Sequence, residues 1–357
     1  MGESPRLLLG AASPLLVVVD PAGSPGEPAR WREARIFSLT ALVLGLAYLI
    51  WLGRLVLASR GSPDIFFFAA ESLSYLLLCL LSYSTWRLRS PRLGNPESQP
   101  RFAVDILVPC CGEPLEIIQT TLKAVQRITY HPREVYVLDD AASEAVAALA
   151  QSLGFHYLSR PQAGLPRADS KSGNLNFGLS RSRGDLILVL DADQVPAPEI
   201  LNRLVGFFGQ SQVGYVQSKQ AFFLPEGDPF YNRDKVFYET IQLSNDQGNA
   251  VISCGSGVMY RRQALQEIGG FASWNLLEDF TTSYELANGG WRGVYHPHAL
   301  SRGLAPATLA GVYHQRFQWC LDTMRLFFWD NPLFKSGLSW RQKTHFLVVM
   351  MRREAWW

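Results

Sequence analysis

The run from Leu186 to Asp193 reads L-I-L-V-L-D-A-D. Five consecutive apolar residues follow Gly184 and Asp185 and stop at two carboxylates. A short apolar run bounded by polar residues is the pattern of a strand buried on both faces, as in a parallel sheet covered by helices. Open α/β sheets gather their ligands just beyond the carboxyl ends of such strands, which is where Asp191 and Asp193 fall. On a continuing strand, alternation sends the two to opposite faces. Pro196 and Pro198 favour a turn, and a turn lets both face one crevice. Paired hard oxygen ligands suit a Mg²⁺ or Mn²⁺ ion that keeps several waters and also holds phosphates. The same D-x-D also fits a solvated loop or a helix N-cap, so the surrounding chain must decide.

The surrounding chain alternates strand and helix. Val104 to Val108 reads as a strand. Pro114 to Gln126 reads as a helix with Leu115, Ile118, Leu122 and Val125 on one face. Val135 to Leu138 is a strand ending in Asp139 and Asp140, Ser143 to Leu153 an alanine-rich helix, Phe155 to Leu158 a strand, and Asn174 to Ser182 a short helix. This order predicts a largely parallel sheet with right-handed crossovers. Its crevice residues come from successive strand ends: Glu113, Asp139 and Asp140, then Asp191 and Asp193.

Before this region lie two runs long enough to span a bilayer. Ile36 to Gly53 carries no charge, and Ile65 to Tyr83 is interrupted only by Glu71. Glu71 is expected to face a helix partner or a polar path rather than lipid. Arg30, Arg32 and Arg35 precede the pair, and Arg87, Arg89 and Arg92 follow it. That bias places both outer ends of the hairpin in the cytoplasm. Ser90 to Pro100 is a linker by its Pro, Gly and Ser content.

Other classes are excluded by what the chain of 357 residues lacks. No G-x-G-x-x-G follows the first strand and no G-x-x-x-x-G-K-[ST] occurs, so it has neither a dinucleotide fingerprint nor a P-loop. A net charge of +2 argues against a nucleic-acid partner. The five cysteines form no C-x-x-C pair and no metal-ligand spacing, as reduced cytosolic thiols would. Three downstream elements can carry chemistry. S-K-S-G-N (170–174) places Lys171 before a helix start, where it can neutralise a phosphate or simply lie on the surface. C-G-S-G (254–257) lets backbone approach a ligand or makes a turn. N-L-L-E-D-F (275–280) presents Glu278 and Asp279 at a helix start, as a base or as partners of the helix dipole. Phe222, Phe223, Trp274 and Trp291 can stack on a ring of a ligand or belong to the core.

V-P-C-C-G-E-P (108–114), L-D-D (138–140) and D-A-D (191–193) resemble the nucleotide-sugar half of a family 2 glycosyltransferase. C-G-S (254–256), L-E-D (277–279) and Q-R-F-Q-W (315–319) resemble its acceptor half. The order and spacing are most similar to bacterial cellulose synthase catalytic subunits and related processive β-glucan synthases, from about Asp105 to Phe334. The resemblance implies a GT-A fold, Rossmann-like with a mostly parallel sheet, behind two transmembrane helices. It also implies a UDP-sugar donor, a glycan acceptor, Mg²⁺ or Mn²⁺, and inversion at the anomeric carbon. By the same resemblance, Glu113 and Asp139 or Asp140 bind uridine and ribose, and Lys171 contacts the diphosphate. Asp191 holds the donor sugar and diphosphate region, and Asp193, with Asp191, ligates the metal. Asp279 is the general base, and Gln315, Arg316 and Trp319 lie at the acceptor or diphosphate end.

The chain departs from the family pattern in two motifs. Leu277 stands where a threonine is usual, and Gln318 where an arginine is usual; the latter removes a charge from diphosphate stabilisation, with Arg316 nearby. The expected division is a flexible segment (1–35), a transmembrane hairpin (36–86), a linker (87–103), a GT-A domain (104–306), and amphipathic or interfacial helices leading into a truncated membrane segment (307–357). The expected protein is a multi-pass enzyme of the bacterial plasma membrane whose cytoplasmic domain adds sugar, glucose by resemblance, to a β-linked polysaccharide, with other synthase subunits as further partners. Two alternatives stand beside it: a non-processive transferase with another sugar or acceptor, and a catalytically weak nucleotide-sugar-binding subunit.

Overall fold

The computed structural model describes residues 28–59, 62–86, 101–224, 227–275 and 278–354. Residues 1–27, most of the linker and Leu277 lie outside the described residues. Two helices come first, α1 (Pro28–Ser59) and α2 (Ser62–Thr85). Residues 28–35 are therefore helical rather than part of a flexible segment. Both helices are long and apolar enough to cross a membrane. Their side chains point outward: Phe37 is 74% exposed, Leu57 79% and Phe66 77%. A continuous apolar surface of this kind is stable in lipid and not in water. The helices meet through Gly45, which packs under the Tyr75 ring, and through the Tyr75 hydroxyl, which donates to the Leu42 carbonyl at 2.9 Å. Glu71 is partly buried in this hairpin.

The α/β region follows the sequence pattern closely. The strands are β1 (Val104–Cys110), β2 (Arg133–Asp139), β3 (His156–Leu158), β4 (Leu186–Val189), β5 (Val195–Pro196), β6 (Val213–Phe223), β7 (Val258–Arg261) and β8 (Arg292–Leu304). They form one sheet in the order β3-β2-β1-β4-β7-β6-β8-β5. The first four strands are parallel, as expected. The far half is mixed, because β7 enters antiparallel to both β4 and β6, while β6 and β8 are again parallel. All of β1 and β4 is buried, which accounts for the continuous apolar run of β4 and for that of β1 after Asp105, which is paired with Arg262. Helix α3 (Leu115–Gln126) buries Ile118, Leu122 and Val125 against the sheet, each contributing about 1.5–3 kcal/mol. The Ser143 Oγ accepts from the Val146 amide and caps α4 (Glu144–Ser152).

One element differs from its expected bounds in a way that matters. Helix α5 (Ser170–Arg181) begins four residues before Asn174, so Lys171 lies within its first turn. Asp169 and Ser170 enter the helix with φ of 59° and 45°. The Arg160 guanidinium fixes that unusual entry by donating to the Ala168 and Ser170 carbonyls.

The chain continues through α6 (Ile200–Leu204), α7 (Gln242–Gly248), α8 (Arg262–Glu267), α9 (Glu278–Asn288), α10 (Leu309–Trp329) and α11 (Trp340–Glu354). Leu81 at the end of α2 packs on an apolar cluster that includes Phe280, Tyr284 and Phe346. The Ser244 hydroxyl on α7 donates to the Ser84 carbonyl. The hairpin is thus docked on the same cluster that seats α9. Helix α10 buries Val312 and Leu326 and exposes Tyr313, Phe317, Phe328 and Trp329.

Candidate active site

The carboxyl ends of β1, β2 and β4 open on one crevice lined by Cys111, Glu113, Asp140, Lys171, Asp191 and Asp193, among others. The chain leaves β4 at Val189 and turns through 191–193, so both aspartates face this crevice instead of alternating. The turn is pinned from the side: the Asp191 amide donates to the Ser256 Oγ at 3.0 Å. Ser256 is in turn held by Gln217, whose Nε2 donates to the Ser256 carbonyl at 3.0 Å and whose Oε1 accepts from the Cys254 amide at 2.7 Å. The Asp193 Oδ2 accepts from the Leu304 amide at 3.2 Å. Burial and the adjacent Asp191 charge raise the Asp193 carboxyl to about 6, against the opposing pull of that amide and of Lys171. Two carboxylates crowded in this way are relieved by a cation.

The carboxylates expected on the nucleoside side are more heavily engaged than the sequence suggested. Asp139 does not line the crevice. It accepts from the Ala141 and Ser143 amides, both at 2.8 Å, and from the Tyr157 hydroxyl at 2.9 Å, so it builds the turn after β2. Asp140 lines the crevice but is tied to Arg160, from Nε to Oδ1 at 2.9 Å and from Nη2 to Oδ2 at 2.5 Å. The Glu113 Oε2 accepts from the Cys111 amide at 2.6 Å, and its side chain remains exposed at the crevice rim. Arg167 also lines this rim, with Nη2 at 2.7 Å from the Cys111 Sγ.

A second cavity opens beside the first. Asp279, Gln315, Arg316 and Trp319 line it together with Phe222 and Tyr238. Glu278 and Asp279 occupy the first turn of α9, where the positive end of the helix dipole favours carboxylates. Gln315 and Trp319 are four residues apart on α10 and share a face. The Arg316 Nη2 donates to the Phe230 carbonyl at 2.7 Å. Gln318 is not among the lining residues. Trp291 lies elsewhere, donating to Glu267.

Gly255 is the boundary between the cavities. A Cβ there would be 3.0 Å from the Asp279 Oδ2 and 3.1 Å from the Lys171 Nζ, and its φ of +79° itself favours glycine. The structure therefore brings Lys171, Asp191, Asp193, Glu278 and Asp279 into one constellation across a single glycine. Lys171 Nζ is 2.6 Å from the Asp191 Oδ1 and 3.3 Å from the Glu278 Oε1. Burial works against its charge, but Asp191 and Glu278 outweigh that and raise it above the ordinary lysine range. Among the described residues no group of three His, Cys, Asp or Glu is placed to hold a metal. A pair of carboxylates does fit Mg²⁺ or Mn²⁺, which take most of their ligands from water and phosphate. Sequence reasoning missed Arg160 and Gln217, and had Ser256 only as the serine of C-G-S. Gln217 is a polar residue within β6, whereas Arg160 lies in the turn after β3 and gives no local signal.

Comparison with known proteins bears on the family and the fold. The chain is 32% identical over 342 residues to the cellulose synthase 1 catalytic subunit [UDP-forming] of Komagataeibacter xylinus, covering 89% of this chain and 45% of that protein. It is 30% identical over 297 residues to the cellulose synthase catalytic subunit [UDP-forming] of Xanthomonas axonopodis pv. citri (strain 306), covering 79% and 40%. The chain thus spans less than half the length of these relatives. Among solved structures, a mannosyltransferase from Pyrobaculum calidifontis in complex with GDP-Man and Mn²⁺ matches with a TM-score of 0.58 at 20% identity, over 80% of this chain and 86% of that one. Residues 1–349 of S. aureus TarS in complex with UDP-GlcNAc match with a TM-score of 0.52 at 14% identity, over 71% and 72%. These likenesses give the fold as GT-A. A family model described as glycosyltransferase like family 2 matches residues 100–321, and the chain belongs to that family.

Proposed function

We propose that this chain is a membrane-anchored, inverting glycosyltransferase that moves glucose from UDP-glucose to a growing β-linked glucan. The observation that carries the reading is the constellation about Gly255, with the D-A-D turn on one side and Asp279 on the other. The first cavity takes the nucleotide-sugar, with Glu113 at its rim and Lys171 toward the diphosphate. Asp191 and Asp193 would hold a divalent metal, which would supply positive charge to the departing phosphate. The second cavity takes the glycan acceptor, between Trp319, Phe222 and Gln315. Asp279 accepts the proton of the acceptor hydroxyl. That oxygen bonds to the anomeric carbon as the carbon–phosphate-oxygen bond breaks, and the electron pair leaves with UDP. Attack opposite the leaving group turns an α-linked donor into a β-linked product. On this reading the hairpin α1–α2 spans the bilayer with the catalytic domain on the cytoplasmic side of the plasma membrane, a side that the arginines outside the hairpin favour.

A second reading is favoured by one observation. Gln318 replaces the arginine usual in this motif and does not line the cavity, while Arg316 is bound to the Phe230 carbonyl. On that reading the chain binds nucleotide-sugar within a synthase complex and transfers slowly. Membranes containing the protein, given labelled UDP-glucose with and without Mg²⁺ or Mn²⁺, separate the two. Metal-dependent incorporation, reduced about 10²–10⁴-fold in Asp279→Asn, is the expected result. UDP binding with no transfer from any UDP-sugar would favour the second reading.

A further inference from the structure

The Lys171 ammonium is enclosed by three oxygens of the protein. It donates to the Gly255 carbonyl at 3.0 Å and forms ion pairs with the Asp191 Oδ1 at 2.6 Å and the Glu278 Oε1 at 3.3 Å. A diphosphate that draws on this ammonium competes with those two carboxylates. One of them, Asp191, is also half of the aspartate pair that suits a divalent cation. An ammonium 2.6 Å from that oxygen opposes any cation brought to it. Arg160 holds the backbone at Ser170, the residue before Lys171, so its helix turn is fixed. The lysine side chain is 29% exposed and long enough to swing from one anchor to another.

We propose that Lys171 and the divalent cation compete for Asp191, and that the donor's diphosphate settles the competition by drawing Lys171 away. The diphosphate supplies acceptors that replace Asp191 and Glu278 around the ammonium. Asp191 then turns to the metal beside Asp193. Metal and nucleotide therefore bind as a pair, each weakly without the other. Release of Glu278 from Lys171 also removes a cation from beside Asp279, on the acceptor side of Gly255. The coupling runs through one side chain and needs no domain movement.

This inference rests on the donor site proposed above, and Mn²⁺ binding tests it independently of turnover. Free Mn²⁺ is measured by its electron paramagnetic resonance signal with the purified full chain in detergent. The wild type is expected to bind Mn²⁺ at least tenfold more tightly with saturating UDP than without it. Lys171→Met is expected to bind Mn²⁺ alone at least tenfold more tightly than the wild type does, with little further gain from UDP. Lys171→Gln, which keeps a donor for the Gly255 carbonyl, gives the same comparison where methionine lowers the melting temperature. Addition of Asp193→Asn to Lys171→Met is expected to abolish the gain. Persistence of the gain there would overturn the proposal, since the ion would then lie between Asp191 and Glu278. Equal Mn²⁺ binding by wild type and Lys171→Met without UDP, alongside UDP-dependent binding by the wild type, would overturn the competition and leave the donor site standing. Absence of Mn²⁺ binding in every sample, with or without UDP, would overturn the donor site itself.

Discussion

Replacing Arg160 by methionine removes one half of a buried ion pair and leaves the other half in place. Arg160 and Asp140 are each 4% exposed. The guanidinium meets both carboxylate oxygens and also holds the Ala168 and Ser170 carbonyls. Loss of one partner from such a pair costs about 3–5 kcal/mol, because an uncompensated charge stays buried. For a domain of roughly 200 residues, each kcal/mol moves the melting temperature by about 2–4 °C, so Arg160→Met is expected to lower it by about 6–20 °C. Asp140→Asn is expected to cost less, since Arg160 keeps two backbone carbonyls and an amide oxygen. The double variant should be more stable than the sum of the singles predicts, by about 0.5–3 kcal/mol. Thermal unfolding in detergent, followed by circular dichroism, reads all three. Arg160→Met should also weaken UDP binding more than Asp140→Asn does, because it removes the hold on the entry to α5 that carries Lys171. A drop below about 2 °C in Arg160→Met, or strict additivity in the double variant, would refute the reasoning. A loss of UDP affinity confined to Asp140→Asn would show that Asp140 touches the nucleotide directly.

Two further outcomes follow from single side chains. Burial lowers His296 to about 4, so it stays neutral in the fold and gains a proton more readily when unfolded. Its contribution to stability is present above about pH 6.5 and is lost as pH falls from there toward 4; His296→Gln should flatten that part of the melting-temperature profile relative to the wild type. Cys111 is exposed at the rim of the first cavity, Cys110 is buried, and Cys79, Cys254 and Cys320 are partly buried, so a maleimide should label Cys111 fastest and weaken UDP binding as it does, saturating UDP should slow that labelling, and Cys111→Ala should keep UDP binding over the same labelling time.

The parallel half of the fold was legible because its signals are local. An apolar run such as Leu186–Leu190 is buried by its own composition, and Ile118, Leu122 and Val125 declare a helix face by spacing alone. The antiparallel entry of β7 was not legible, since Val258–Arg261 is a four-residue strand whose partners lie 41–75 residues away in the chain. In the candidate site, the acidic residues were found because carboxylates at strand ends are conspicuous. Their engagement was hidden, because it depends on tertiary neighbours. Nothing near Asp140 in the sequence announces that Arg160 has claimed it. The helix start at Ser170 was missed for a related reason: left-handed residues at Asp169 and Ser170 run against local preference, and the long-range hold of Arg160 makes them stable.

The docking of α2 on the cluster formed by Phe280, Tyr284 and Phe346 fixes a height. Phe280 follows Asp279 directly and shares that cluster with Leu81, so the residue proposed to take the proton is tied to the end of a helix long and apolar enough to cross a membrane. With the hairpin in a bilayer, as proposed, a glucan lengthened at that point would always gain its new unit at one level relative to the lipid, whatever the length already made. The anchor would then serve as a ruler as well as a tether.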